Sequence, residues 1–359
     1  MCRMTKEPMR LIIEGDSREY RHTPGHQPGY RPTGHVGYNL VRHLTGNGER
    51  VRAGVRDVTA AGRVRELGAE IARTELLEPG TLAAAMEGTD VVYAVAAAFK
   101  SWARDPHREI IDVNVHGAVN VVEAAAKAGV RRIVYVSSMT TLDPSVQPLS
   151  AETWNPLNLS PYDYSKTMAE RKAAARAREL GVEFVSILPA AITGPGFARP
   201  TESTELFPAI LTGKLPIDPR FYLLISDARD VAAACYLASA KGLDGARYIV
   251  SSDLPISTTE MVAIAQQMYP ELGIKTPRQL PLGALKVIAR VTSRIAKPTR
   301  RPPALRPEIV NLYGGAAHLR ADTRRTRAEL GLTLMSNEQS VRDSFTWAHD
   351  HFTGTPAGF

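Results

Sequence analysis

The feature that most restricts this chain's fold is a series of short, unbroken apolar runs separated by stretches with helical spacing. The runs are Leu11 to Ile13 and Val91 to Val95, with Arg50 to Val55, Arg132 to Val136 and Val182 to Leu188 reading as further strands. They lack the apolar–polar alternation of a strand with one wet face. Helical patterns lie between them at Val36 to Leu44, Asn114 to Ala128 and Tyr162 to Leu180, and Gly46, Gly129 and Gly181 stand at their ends as stops. Strands covered on both faces and joined by crossover helices predict an α/β fold with a doubly wound parallel sheet. After Gly194-Pro195-Gly196 prolines become frequent, at Pro200, Pro208, Pro216 and Pro219 and again from Pro298 to Pro307, around a helix at Asp227 to Ala240 and a strand at Arg247 to Val250. The expected organisation is a larger doubly wound unit over 9–195, with 221–250 returning to it. A smaller substrate-binding region, 196–220 and 251–359, would close over the sheet's carboxyl edge, where open α/β sheets bind ligands.

Composition excludes several alternatives. With 44% hydrophobic and 23% charged residues in 359 positions, the chain has the material for a large core and is not disordered. Cys2 and Cys235 cannot form a disulfide framework and have no metal-ligand spacing, which predicts a cytoplasmic protein without a metal site. No apolar run approaches the ~18 residues of a membrane span, and Met1 to Lys6 has no apolar stretch behind it to read as a secretory signal. The net charge of +7 is local. Nine of the 44 bases fall between Leu272 and Pro307, a stretch without Asp or Glu, leaving 35 bases against 37 acids elsewhere. That stretch also lacks aromatic residues, so a nucleic-acid partner is not expected. Leu282, Leu285, Ile288, Val291 (or Val287) and Ile295 recur in it at helical spacing. Such a helix suits the smaller region with its bases in water, an anionic membrane surface contacted through 282–306, or the mouth of a site for a lipid-like substrate.

Three constellations carry chemistry. Thr33-Gly34-His35-Val36-Gly37 opens a helix, where unpaired N–H groups and the helix dipole favour a pyrophosphate. Its earlier partner, Gly15, follows the first strand but is separated from it by an insertion, Asp16 to Arg31; without those sixteen residues the pattern reads G-x-x-G-x-x-G. Nineteen residues after Gly37, the second strand ends in Arg56-Asp57. Arg56 would neutralise a ribose 2′-phosphate, whereas Asp57 would accept from a 2′-hydroxyl. Tyr162 and Lys166 stand four apart on one helix face, a spacing at which an ammonium lowers a tyrosine pKa from its usual ~10 toward neutrality. Ser138 ends the preceding strand and offers a hydroxyl for the same substrate oxygen.

These segments resemble the extended short-chain dehydrogenase/reductases, the NAD-dependent epimerase/dehydratase superfamily, and within it the dihydroflavonol-4-reductase-like and 3β-hydroxysteroid-dehydrogenase-like branch. The resemblance rests on Arg10 to Gly15, Thr33 to Gly37, Val134 to Ser138, Pro161 to Lys166 and Leu188 to Pro195. Asn114 to Ala125 and Ser226 to Ala232 add to it. It implies a Rossmann-like domain and hydride transfer between a nicotinamide and a ketone or secondary alcohol of a bulky, apolar small molecule. Tyr162 would be the general acid/base, Lys166 would lower its pKa and hold the nicotinamide ribose, and Ser138 would orient the substrate oxygen. Gly15, Gly34, His35, Val36 and Gly37 would wrap the pyrophosphate. Arg56 at the second strand's end would favour NADP(H), with NAD(H) as the other candidate. Leu76 belongs to the segment in which Glu75-Leu76 replaces the family's Asp-Leu, and Pro189, Ile192, Ala96 and Ala97 would line the nicotinamide pocket.

The insertion departs from the family, and three readings stand: a loop directed outward, a basic lid over the cofactor, or a disabled site. Two rival functions accompany them. One is a nucleotide-sugar epimerase or dehydratase with tightly bound NAD, and the other a non-catalytic nucleotide-binding sensor. A homodimer is compatible with the sequence.

Overall fold

The computed structural model describes residues 9–14, 34–95, 105–157, 160–201, 203–299, 307, 310–311 and 314–353. Seven strands form one parallel sheet: β1 (Met9–Ile13), β2 (Arg50–Val55), β3 (Glu70–Arg73), β4 (Thr89–Ala94), β5 (Arg132–Val136), β6 (Glu183–Pro189) and β11 (Arg247–Val250). Their spatial order is β11-β6-β5-β4-β1-β2-β3. Three two-stranded pairs lie outside the sheet: β7 (Ala191–Thr193) with β10 (Ile225–Asp227), β9 (Tyr222–Leu223) with β12 (Ile256–Ser257), and β8 (Ile217–Asp218) with β13 (Arg278–Gln279).

The apolar runs are central strands because both faces are covered. Val91, Val92 and Tyr93 of β4 are fully buried, and every residue of β5 is buried. One face packs on α1 (His35–Gly46) and α7 (Ala228–Lys241) through Leu40, Val41, Leu44, Val231 and Cys235. The other packs on α3 (Pro79–Met86), α4 (Asp112–Ala128) and α5 (Pro161–Leu180) through Leu82, Met86, Val121, Val122, Ala169 and Ala173. Gly129 and Gly181 end α4 and α5 at φ +71° and +70°, so the chain turns directly into β5 and β6. The Glu-Ile-Ala-Arg strand β3 is a half-exposed edge, which is why it carries no apolar run.

The order of strands reverses at β1, which pairs with β2 on one side and β4 on the other. The crevice at the carboxyl ends of β1 and β4 is therefore the ligand-binding edge of such a sheet. Beyond that edge, α6 (Leu206–Leu211), α8 (Thr258–Met268) and α10 (Asn337–Phe352) enclose a second apolar core that includes Phe197, Phe207, Val262 and Phe345. Leu330 and Leu332 pack into the sheet's own core, and Thr326 Oγ1 donates to the Ile249 carbonyl at 2.6 Å. The remaining long helix, α9 (Leu282–Thr299), rests on Phe221 and Val310. Among the described residues no helix is long and apolar enough to cross a membrane, and no three His, Cys, Asp or Glu residues gather as a metal site.

Candidate active site

The first turn of α5 is set by a capping box. Ser160 Oγ accepts from the Asp163 amide at 3.1 Å, the Asp163 carboxylate accepts from the Ser160 amide at 3.3 Å, and Pro161 occupies the first helical position. Tyr162 therefore starts the helix in a fixed orientation, partly accessible at the sheet's carboxyl edge. One turn later Lys166 points into the protein and is only 2% exposed. Its Nζ donates to the carbonyl of Val136, the last residue of β5, at 3.2 Å. Ser138 follows two residues after that carbonyl. Its Oγ accepts from the amide of Thr140 at 3.2 Å and from the Thr140 hydroxyl at 3.1 Å. A serine hydroxyl has two acceptor positions and one donor, so Ser138 is left with its proton to donate. The lysine bond thus joins the helix carrying Tyr162 to the strand end carrying Ser138. Burial lowers the Lys166 ammonium to about 8, an effect that the nearby Glu170 carboxylate opposes.

Sequence reasoning missed the floor of this site. Glu170, a further turn along α5, is buried, accepts from Ser137 Oγ at 2.5 Å and is ion-paired with Arg247 of β11 at 2.8 Å. Arg247 also donates to the carbonyls of Ala151 and Thr153 and to Thr141 Oγ1, with its guanidinium carbon 3.7 Å from the centre of the Trp154 ring. On the other side, Asn114 Nδ2 of α4 donates to Ser165 Oγ at 3.0 Å. The available signal was the i, i+4 spacing that puts Glu170 on the Lys166 face. Arg247 had none, because its partner lies 77 residues away.

The predicted nucleotide-binding residues fall at the β1, β2 and β6 ends. Gly34 is the N-cap of α1, and His35, Val36 and Gly37 form its first turn, where helix amides lack intrahelical acceptors. A Cβ at Gly37 would stand 2.8–2.9 Å from the Glu14 side chain, so a larger residue there would have to displace that buried carboxyl. Glu14 accepts from the Gly34 amide at 3.1 Å, and burial raises its carboxyl to about 8. The His35 ring does not face this junction. Its Nε2 donates to the Pro195 carbonyl at 3.0 Å, its ring meets Phe197 edge-on, and burial lowers its pKa to about 4, so it is neutral. Only its backbone shares the helix start with Gly34 and Val36.

Arg56 lies at the end of β2, ion-paired to Glu75 at 2.7 Å. Asp57 accepts from the Thr59 amide at 3.0 Å and so caps the next turn. Leu76 packs against α4 at Gly117, and its carbonyl accepts from Asn120 Nδ2 at 2.9 Å. Pro189 closes β6, opposite Val250, and Ile192 sits in β7 opposite Ser226. Gly15, Ala96, Ala97 and the insertion at 16–31 lie outside the described residues.

The model of the NAD dependent epimerase/dehydratase family matches residues 32–250, which span the glycine turn, Arg56, Ser138, Tyr162 and Lys166. The chain belongs to this family. The match begins just after the insertion and leaves out β1. Among curated relatives, sterol demethylase protein B of Methylococcus capsulatus is 31% identical over 324 residues, 88% of this chain and 95% of that protein. Dihydroflavonol 4-reductase of Zea mays is 31% identical over 275 residues, covering 69% and 75%. Both agree with the extended short-chain dehydrogenase/reductase assignment. Among solved structures, yeast methylglyoxal/isovaleraldehyde reductase Gre2, complexed with NADPH, superposes with a TM-score of 0.72 over 96% of this chain and 99% of that one at 15% identity, a likeness of fold.

Proposed function

We propose that this family member is an NAD(P)-dependent reductase or dehydrogenase acting on a ketone or secondary alcohol of a bulky, apolar small molecule, with Ser138, Tyr162 and Lys166 as its catalytic residues. The observation that carries the reading is the Lys166 to Val136 hydrogen bond, which ties the Tyr162 helix to the strand end bearing Ser138. The donor set suits a nicotinamide dinucleotide. The first-turn amides of α1 at His35, Val36 and Gly37 would hold the pyrophosphate, Arg56, which shares its charge with Glu75, would hold a 2′-phosphate, and Lys166 would hold the nicotinamide ribose. Leu76 would add to the cofactor contacts, and Pro189 and Ile192 would line the nicotinamide pocket. The bound cofactor supplies or accepts the hydride. In the reductive direction Ser138 donates its hydroxyl proton in a hydrogen bond to the substrate carbonyl oxygen and holds it. Tyr162 delivers its own proton to that oxygen, and the buried Lys166 ammonium stabilises the resulting phenolate. Names of the curated relatives, a sterol demethylase protein and a dihydroflavonol 4-reductase, favour a large apolar substrate.

The test is titration with NADPH and NADH followed by nicotinamide fluorescence, then a screen of ketones and alcohols at constant cofactor. Tighter NADPH binding and ketone-dependent oxidation are the expected results. Copurifying NAD with nucleotide-sugar turnover would replace the reading by an epimerase. Binding of neither nucleotide would replace it by a non-catalytic protein.

A further inference from the structure

Helix α9 shows two apolar rows, and only one of them meets the protein. Leu285 and Ala289 are buried against Phe221 and Val310. Val287, Val291 and Ile295 repeat at four-residue spacing on a separate row and are 55%, 47% and 64% exposed. At 1.5 Å per residue this row is about 12 Å long. Each member is preceded by a base, Lys286, Arg290 or Arg294, so a basic row runs along one edge of the exposed apolar one. No acidic residue occurs between Leu272 and Pro307.

We propose that α9 docks the protein on an anionic phospholipid surface, with Val287, Val291 and Ile295 in the boundary between headgroups and acyl chains and Lys286, Arg290 and Arg294 on the lipid phosphates. An interfacial helix needs this pairing of an apolar row with a cationic edge. A second copy of the helix is a poor occupant, because two acid-free basic rows would be brought together. Nucleic acid would satisfy the bases but leave three aliphatic side chains in water, and the stretch has no aromatic residue to stack. The inference is independent of the reductase reading, since lipid binding is measured without turnover.

The experiment is vesicle flotation of the full chain, with phosphatidylcholine alone and with phosphatidylcholine mixed with phosphatidylglycerol. Binding to the mixed vesicles, weak binding to the neutral ones and release at high salt are expected. Each base near an anionic leaflet strengthens partitioning roughly fivefold, so the triple change Lys286→Gln, Arg290→Gln and Arg294→Gln weakens binding about a hundredfold. The pair Val287→Asp and Ile295→Asp abolishes it while circular dichroism and thermal unfolding stay as in the parent. Should the aspartate pair unfold the lobe, the glutamine triple, which leaves every apolar contact in place, decides alone. The proposal is overturned if the parent chain ignores the mixed vesicles, if it binds both vesicle types equally, or if the glutamine triple floats as well as the parent. A concentration-dependent dimer in light scattering that the aspartate pair dissolves would assign the face to a second copy and overturn it as well.

Discussion

Lys166 is a cation held almost without water, and its neighbours decide how long it stays charged. Burial lowers its pKa to about 8, whereas the Glu170 carboxylate raises it. The proposed catalysis needs the ammonium form, so turnover is expected to fall as pH rises through about 8, checked by the pH dependence of kcat. Replacing Glu170→Gln removes the opposing charge, and the basic limb of that profile should move to lower pH. The same change leaves Arg247 buried without its carboxylate, a loss expected to cost about 3 kcal/mol in denaturant unfolding. Tyr162→Phe removes only a hydroxyl from a partly exposed side chain. It should lower kcat by roughly two to four orders of magnitude with the unfolding midpoint unchanged, and unchanged turnover would reject the catalytic assignment. The Tyr162–Lys166 pair was legible in the sequence because both members share one helix. Arg247 was not, since only the sheet order brings β11 near α5.

At the scale of elements, the junction of β1 with α1 contains a buried acid. Gly37 lets α1 approach closely, and the space is filled by Glu14, whose carboxyl burial raises to about 8 against an ordinary value near 4.5. The folded state therefore keeps a proton that the unfolded chain releases above about pH 4.5. Stability contributed at this junction is complete below that pH and declines as pH climbs toward 8. Glu14→Gln keeps the shape without the titration. At pH 7 it should stabilise the protein by about 3 kcal/mol in denaturant unfolding, and at pH 4 it should make little difference. The sequence placed the glycines at this helix start. It did not show that the His35 ring would be taken by the Pro195 carbonyl, a contact 160 residues away.

At the scale of the molecule, the C-terminal helix is fastened to the sheet's carboxyl edge by buried polar contacts. The Gly194 amide donates to Ser344 Oγ at 2.7 Å, and Ser340 Oγ donates to Asp227 Oδ2 at 2.7 Å. Arg229 bridges Asp227 at 2.8 Å and Asp343 at 2.6 Å. Gly194 has φ +91°, and a Cβ there would lie 2.6–2.8 Å from the Asp227 carboxylate. Gly194→Ala should therefore cost roughly 2–4 kcal/mol of stability, seen as a lower Tm. It should also expose α10 to limited proteolysis while the sheet's helices stay protected.

The sequence by itself determined that there is a parallel sheet and where most of its strands lie. It did not determine the edge strand β3, whose Glu-Ile-Ala-Arg carries no apolar run, nor the order of the strands. Unbroken apolar runs can be satisfied only by strands covered on both faces, and the glycine stops set where helices give way to β5 and β6. It also determined the Tyr162, Lys166 and Ser138 grouping as a candidate, because local spacing on one helix and one strand end is enough to define it. Tertiary structure alone decided which distant charges meet: Arg56 with Glu75, Glu170 with Arg247, and Arg229 with Asp343. It also decided which row of α9 is covered. Periodicity reports that a helix has an apolar side, but how much of that side is buried depends on the element packed against it, and for α9 that element reaches Leu285 and Ala289 while leaving Val287, Val291 and Ile295 in solvent.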